Sequence, residues 1–142
     1  DLSGYKIDKY VNGSASATNL VVIPSVSLAA GDVYVVCDND ADLAILAQCD
    51  FQASAVFYNG DDAMALKDST NNILDVIGQI GFDPGAEWGS GFASTADNTL
   101  VRKCGITQGD TNGIDIFDPA TEWNGFATDT FGNLGSHDPI CH

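Results

Sequence analysis

The fold is decided by residues 56–81, VFYNGDDAMALKDSTNNILDVIGQIG. Two apolar segments, 62–67 and 73–77, have the composition of β-strands. The polar sequence DSTNN (68–72) between them predicts a turn, and NGD (59–61) predicts a break before the first strand. This stretch therefore indicates two strands joined by a turn.

Further strand signals lie on both sides of this stretch. Strands are predicted over 2–11, 19–23, 33–37, 55–58 and 99–103. The pair Asn12-Gly13 is a favoured hairpin turn, and the nearly all-apolar segment 33–37 predicts a strand at the centre of a sheet. One short helix is predicted within 41–48, ADLAILAQ, behind Asp40 as a cap.

Short strands, frequent turns and one minor helix predict an all-β fold, a β-sandwich rather than βαβ units. We expect the long loop 81–99 to be packed down by Phe82, Trp88 and Phe92, and the irregular segment after Gly105 to wrap the sheet. At 142 residues with no repeat or linker, residues 1–142 are expected to form a single domain.

The charge is strongly one-sided, with 20 acidic against 5 basic residues and a formal net charge of -15. Such a field repels nucleic-acid backbones and anionic lipids, so direct nucleic-acid binding is not expected. No apolar run approaches the roughly 18 residues of a membrane span. The first residues lack a signal-peptide pattern, so we expect any signal peptide to be removed or to lie upstream. Protein or cell-surface contacts are the expected interactions.

Four cysteines are present without a CxxC pair, and the two histidines stand near the C-terminus, which disfavours zinc. An even count in this acidic chain predicts disulfides and an oxidising compartment, extracellular or periplasmic. Three connectivities are possible. The pairing of sequence neighbours is favoured, which joins Cys37 to Cys49 and Cys104 to Cys141.

Two acidic loops were compared with the calcium-binding EF-hand loop. The loop from Asp38 has Leu43 where glycine is needed at position 6 and Cys49 where glutamate is needed at position 12. The loop from Asp110 places its glycine too early. A calcium site of another type remains a hypothesis, with ordinary Asx turns as the alternative. Its candidate ligands are Asp110, Asn112, Asp115 and Asp118.

No catalytic residue is predicted. Asp61 and Asp62 are adjacent in a strand-like segment, so their side chains point to opposite faces and do not form a dyad. Nucleophile and phosphate-loop motifs are missing from the sequence. Trp88 and Trp123 suggest a sugar-binding platform, although aromatic residues in small sandwiches more often belong to the core.

A series of motifs carries a family resemblance from Asp1 to about His137. They are DLSGYKI (1–7), GDVYVV (31–36), FYNGDDAMALKD (57–68), ILDVIGQIG (73–81), DPGAEWGSG (83–91), STADNTLVRK (94–103), GDTNGIDIFDPATEW (109–123) and LGSH (134–137). In this order they resemble the lamin-tail-like domain of bacterial extracellular nucleases.

The resemblance implies an immunoglobulin-like β-sandwich that acts as an accessory unit ahead of a catalytic endonuclease/exonuclease/phosphatase domain. Members of the family usually have a strand before the DLSGY motif, so a missing upstream edge strand is expected. The metal-binding residues of the catalytic domain have no counterpart here. The expected function is a non-catalytic accessory or interaction domain of a secreted nuclease-type protein. The alternative is a calcium- or glycan-binding extracellular module.

Overall fold

The computed structural model describes residues 1–54 and 59–142. Its two α-helices are α1 (Leu43–Leu46) and α2 (Pro119–Glu122), and a 3-10 turn covers Val11–Gly13. The strands are β1 (Lys6–Tyr10), β2 (Thr18–Val22), β3 (Val36–Asp38), β4 (Phe51–Ala53), β5 (Ala63–Lys67), β6 (Ile73–Ile77), β7 (Gly89–Ser90), β8 (Ala93–Ser94), β9 (Thr99–Arg102) and β10 (Trp123–Phe126). The all-β prediction is confirmed.

The largest sheet has four antiparallel strands in the order β2-β1-β5-β6. Strands β5 and β6 coincide with the two predicted strands to within one residue. In the turn between them, the Asp68 carboxylate accepts hydrogen bonds from the backbone N–H groups of Thr70 and Asn72. The predicted strand pair and its polar turn are therefore present.

One face of this sheet carries a buried core. Small side chains at Ala63 and Ala65 lie beside Tyr10 and Val76 and leave room for the Trp88 ring. Gly78 has a φ of +91°, and a Cβ there would lie 2.9 Å from Trp88 ring carbons. Glycine at 78 thus allows the chain to leave β6 beside the ring.

A parallel pair stands apart from this sheet. Strand β3 pairs with β4, and α1 lies in the connection between them. The predicted strand 33–37 is wrong in its bounds, since β3 begins only at Val36. The reason is a contact 15 residues along the chain, because the Val35 N–H donates to the Asp50 side chain rather than to a neighbouring strand. A disulfide joins Cys37 to Cys49 within this unit, which confirms the favoured pairing.

Two small antiparallel pairs complete the structure, β7 with β8 and β9 with β10. The β7–β8 pair falls inside the predicted loop 81–99. Only part of the packing prediction for this loop is confirmed, because Trp88 is buried whereas Phe82 and Phe92 are exposed. The Cys104–Cys141 disulfide ties the C-terminal segment to the end of β9.

The helix prediction needs two corrections. Helix α1 is capped by Asp42, not Asp40, because the Asp42 carboxylate accepts the Ala44 N–H. A second helix, α2, begins after Asp118, whose side chain caps it, with Pro119 at its first turn. The predicted strand 55–58 lies outside the described residues. The immunoglobulin-like arrangement of the sheets remains a prediction.

Candidate functional site

The loop of residues 108–118 holds the predicted calcium ligands and is attached to β6 and to the segment that follows it. The Asp110 N–H donates to Asp75 Oδ1 at 2.8 Å, and the Ile80 N–H donates to the Gly113 carbonyl at 2.6 Å. Gln79 Nε2 donates to the Ile114 carbonyl at 3.0 Å. Because these bonds span 33 or more residues of sequence, only tertiary folding sets the position of this loop.

Arg102 on β9 reinforces the attachment. Its Nη2 contacts both Asp75 carboxylate oxygens, at 2.9 and 2.7 Å, and its guanidinium lies 4.3 Å from the centre of the Trp123 ring. Arg102 Nη1 also lies 3.8 Å from Glu122 on α2. One guanidinium therefore links β6, β9, β10 and α2, and the same Asp75 carboxylate receives the Asp110 N–H.

The four calcium candidates are only partly brought together. Asp110, Asp115 and Asp118 line one pocket of about 210 Å³, together with Thr121 and Glu122. Asn112 does not line this pocket. Within residues 1–54 and 59–142, no group of three or more His, Cys, Asp or Glu side chains is arranged to hold a metal ion.

Local hydrogen bonds occupy several of these side chains. Asp110 Oδ1 accepts the Asn112 N–H at 2.9 Å, and Asn112 Oδ1 accepts the Ile114 N–H at 3.4 Å. Asp118 Oδ1 accepts the Ala120 N–H at the start of α2, at 2.9 Å. These are the bonds of Asx turns and of a helix cap, so the alternative of ordinary turns accounts for three of the four residues.

The same loop exposes two large apolar side chains. Ile114 is 73% exposed and Ile116 is 88% exposed, whereas the next residue, Phe117, turns inward and meets Trp88 edge to face at 6.1 Å. The sequence predicts only that the segment containing all three residues wraps the sheet. The alternation Ile-Asp-Ile is visible in the sequence, but without a regular period it does not show which side chains face solvent.

The two tryptophans do not offer a common sugar-binding platform. Trp88 is only 6% exposed and belongs to the core on the main sheet. Trp123 is stacked with Arg102. A sugar ring therefore has no free face of Trp88 to contact, and the core interpretation of this residue is confirmed.

Asp62 has a structural role in the described part of the chain. Its Oδ1 accepts the Asn12 N–H at 2.9 Å, and its Oδ2 lies 3.7 Å from Lys9 Nζ. The carboxylate therefore joins the turn after β1 to the residue before β5. This bond to a backbone N–H spans 50 residues of sequence, so tertiary folding rather than a local turn gives Asp62 its role.

Two larger cavities lie elsewhere. An apolar groove of about 390 Å³ lies on the face of the main sheet opposite the core and is bordered by Ile7, Leu66, Leu28 and Tyr34. A more polar cleft of about 480 Å³ lies beside Asp32, Asp50 and His137. Sequence reasoning named neither cavity, because each is assembled from segments distant in the chain.

Comparisons with known proteins identify no relative. No protein-family model matches the chain, and no curated protein or solved structure matches it. The resemblance to lamin-tail-like domains therefore remains a hypothesis based on the motif series. Searching for a membrane-crossing segment gave no helix of sufficient length and hydropathy in the described ranges.

Proposed function

We propose that this chain is a non-catalytic accessory domain of a secreted bacterial nuclease-type protein, which supports or positions a catalytic domain through protein or cell-surface contacts. The motif series supports the class of parent protein. One structural observation carries the interaction role. All of the basic side chains are engaged within the fold, which leaves a surface field dominated by carboxylates.

Each lysine and arginine has an internal partner. Lys6 and Lys67 contact Asp8, and Lys9 contacts Asp62. Arg102 contacts Asp75, and Lys103 Nζ donates to the Ala120 and Thr121 carbonyls. With a net charge of -15 and no basic track, the domain is suited to contacts with proteins rather than with nucleic-acid backbones.

The two disulfides support a secreted or periplasmic location, because such bonds persist in oxidising compartments. The structural roles of the carboxylates support the non-catalytic assignment. Asp62, Asp75, Asp110 and Asp118 bind backbone N–H groups or cations of the fold, which is a structural use of these side chains.

The test is incubation of the purified chain with duplex and single-stranded DNA at low salt, with magnesium, with calcium and with chelator. Mobility shift and degradation are both followed. We expect neither. Metal-dependent degradation that co-elutes with the chain, and that is lost in the Asp110→Asn/Asp118→Asn variant, would overturn the proposal. Degradation unaffected by this variant and separable by chromatography indicates a contaminant.

A calcium-binding module is the second candidate. It is favoured by one observation, that Asp110, Asp115 and Asp118 all line the 210 Å³ pocket, where calcium would have to draw their carboxylates closer together. Calcium at about ten times its Kd would then raise the free energy of unfolding by about 1.4 kcal/mol. The thermal midpoint would rise with calcium but not in Asp115→Asn. A midpoint unchanged by millimolar calcium removes this candidate.

A further inference from the structure

Ile114 and Ile116 form an exposed apolar pair on a loop whose other residues are mostly polar. Single exposed apolar residues are common on protein surfaces and need no explanation. Here two are separated by one residue, at 73% and 88% exposure, and the neighbouring segment adds Phe82 at 50% exposure. The Phe82 N–H bonds to the Gln79 carbonyl, and the Gln79 side chain bonds to Ile114, so the two segments lie side by side.

The loop is attached to the rest of the fold at three points, which restricts its conformation without a partner. Its start is attached to Asp75, its middle to Ile80 and its end to the core through Phe117. Gly113 is buried against Ile80, where a Cβ would come within 2.5 Å of the Ile80 side chain. A preorganised loop loses little conformational entropy on binding, which is a property of efficient contact surfaces.

Carboxylates surround this apolar pair. Asp115 lies between the two isoleucines, and the pocket of about 210 Å³ that includes Ile116 is also lined by Asp110, Asp118 and Glu122. The only cation contacting this group in the described residues is Arg102, at 3.8 Å from Glu122. The surface therefore combines exposed aliphatic side chains with an acidic recess large enough for one long side chain.

We propose that residues 110–118, the docking loop, bind a protein segment in which a lysine or arginine adjoins large apolar side chains. The apolar side chains cover Ile114 and Ile116, and the cation enters the acidic recess. Charge complementarity selects the basic partner, and burial of the isoleucines supplies the apolar contact. This assignment rests on the proposed interaction role and names the partner class for it.

Other classes of macromolecule fit the loop less well. The carboxylates at Asp110, Asp115 and Asp118 repel nucleic-acid phosphates and the anionic headgroups of bacterial membranes. A purely apolar partner would leave the carboxylates next to a low-dielectric surface without a counter-charge, which is unfavourable. A basic and apolar protein segment satisfies both parts of the loop.

The test uses a phage-displayed library of random linear peptides selected on the intact chain. Binding of the selected peptides is then measured on the Ile114→Ser/Ile116→Ser variant. Leu43→Ser is the matched control, because Leu43 is 81% exposed and lies on α1, outside the docking loop. Thermal midpoints and amide NMR spectra establish that each variant is folded.

We expect the selected peptides to be enriched in Lys or Arg beside Leu, Ile, Phe or Trp. Binding should weaken at least about tenfold in the double serine variant and in Asp115→Asn/Asp118→Asn, and remain unchanged in Leu43→Ser. Higher salt should weaken binding of the wild-type chain.

Three outcomes would overturn the proposal that the docking loop binds such a segment. They are no enrichment of any peptide, enrichment of peptides without basic residues, or equal binding of the peptides by the double serine variant. If selected peptides instead perturb amide signals around the apolar groove at Leu28 and Tyr34, the interaction role stands and only this loop is excluded. DNA degradation by the chain is a separate result, and it alone overturns the non-catalytic role.

Discussion

Lys67 Nζ lies 2.7 Å from Asp8 Oδ2, which forms an ion pair between the central strands β5 and β1. The Asp8 side chain is almost fully buried. In the strand register Lys67 stands directly opposite Lys6, an arrangement of like charges that is unfavourable on its own. Asp8 contacts both lysines, at 2.7 and 4.0 Å, and so offsets their repulsion.

Replacing Lys67 by methionine should destabilise the domain strongly. The substitution leaves the buried Asp8 carboxylate with Lys6 at 4.0 Å as its cation, and breaking a buried pair from one side costs about 3–5 kcal/mol. Urea unfolding measures the loss. Lys6→Met is the control and should cost less than about 1 kcal/mol. The double variant Asp8→Leu/Lys67→Met should recover much of the loss; equal destabilisation by all three variants contradicts this account.

The Lys67–Asp8 pair should also make the free energy of unfolding depend on pH in the alkaline range. Burial acts to lower the pKa of Lys67, but hydrogen bonds with Asp8 and Tyr10 outweigh it and raise the pKa above 10.5. Because the folded value exceeds the unfolded one, this contribution is fully present below pH 10.5 and is lost as pH rises through the folded value. The difference in unfolding free energy between wild type and Lys67→Met should therefore shrink only at alkaline pH. A decrease already at neutral pH would contradict the assignment.

Asp68 should titrate unusually low. Hydrogen bonds from the Thr70 and Asn72 side chains, supported by their backbone N–H groups, lower its pKa from 3.8 to about 2. A depressed folded pKa gives a contribution present above pH 3.8 and lost as pH falls through about 2. NMR titration of the Asp68 carboxyl carbon measures this directly. Thr70→Val should move the midpoint upward, and a wild-type midpoint near 3.8 would show that the turn is not formed as described.

Gly78→Ala should disturb the core, whereas Gly85→Ala should not. The two glycines have nearly equal φ values, +91° and +89°, so alanine carries similar backbone strain at each, about 1–2 kcal/mol. At 78 the added Cβ also lies 2.9 Å from the Trp88 ring, whereas at 85 nothing lies within 4 Å. Overpacking should add about 1–3 kcal/mol at 78 alone. Urea unfolding with near-ultraviolet circular dichroism tests this, and equal losses would show that the ring is not in contact.

The two disulfides should stabilise different regions. Their sequence separations of 12 and 37 predict losses of about 3 and about 4 kcal/mol for Cys37→Ser/Cys49→Ser and Cys104→Ser/Cys141→Ser. Amide hydrogen exchange should increase around α1 in the first variant and along the C-terminal segment in the second. Non-reducing peptide mapping checks the pairing, and a peptide linking Cys37 to Cys104 would refute it.

Prediction succeeded where the determinants are local. Strands β5 and β6 and their turn follow from short apolar segments separated by polar turn residues, and Asp68 stabilises the predicted turn by side-chain bonds. The elements that were missed, such as β4, β7 and β8, are two or three residues long. Elements of this length have little propensity of their own and exist through contacts with distant segments.

In the candidate site, too, the locally determined features were predictable and the features set by distant contacts were not. Asp110 and Asp118 belong to the predicted calcium ligands because side-chain oxygens are grouped around a glycine turn, which is a local sequence pattern. Their convergence with Glu122 on one pocket depends on α2, which the sequence analysis did not predict. The exposure of Ile114 and Ile116 depends on which way the loop is turned by Asp75 and Ile80.

By itself the sequence determined an acidic, all-β, disulfide-bonded domain, because composition, turn residues and strand patterns act over a few residues. Only the tertiary structure decided that Asp8 is buried between lysines and that two isoleucines face solvent. Burial is a property of the whole packing arrangement. A side chain's environment is set by segments distant in the chain, and no local pattern encodes it.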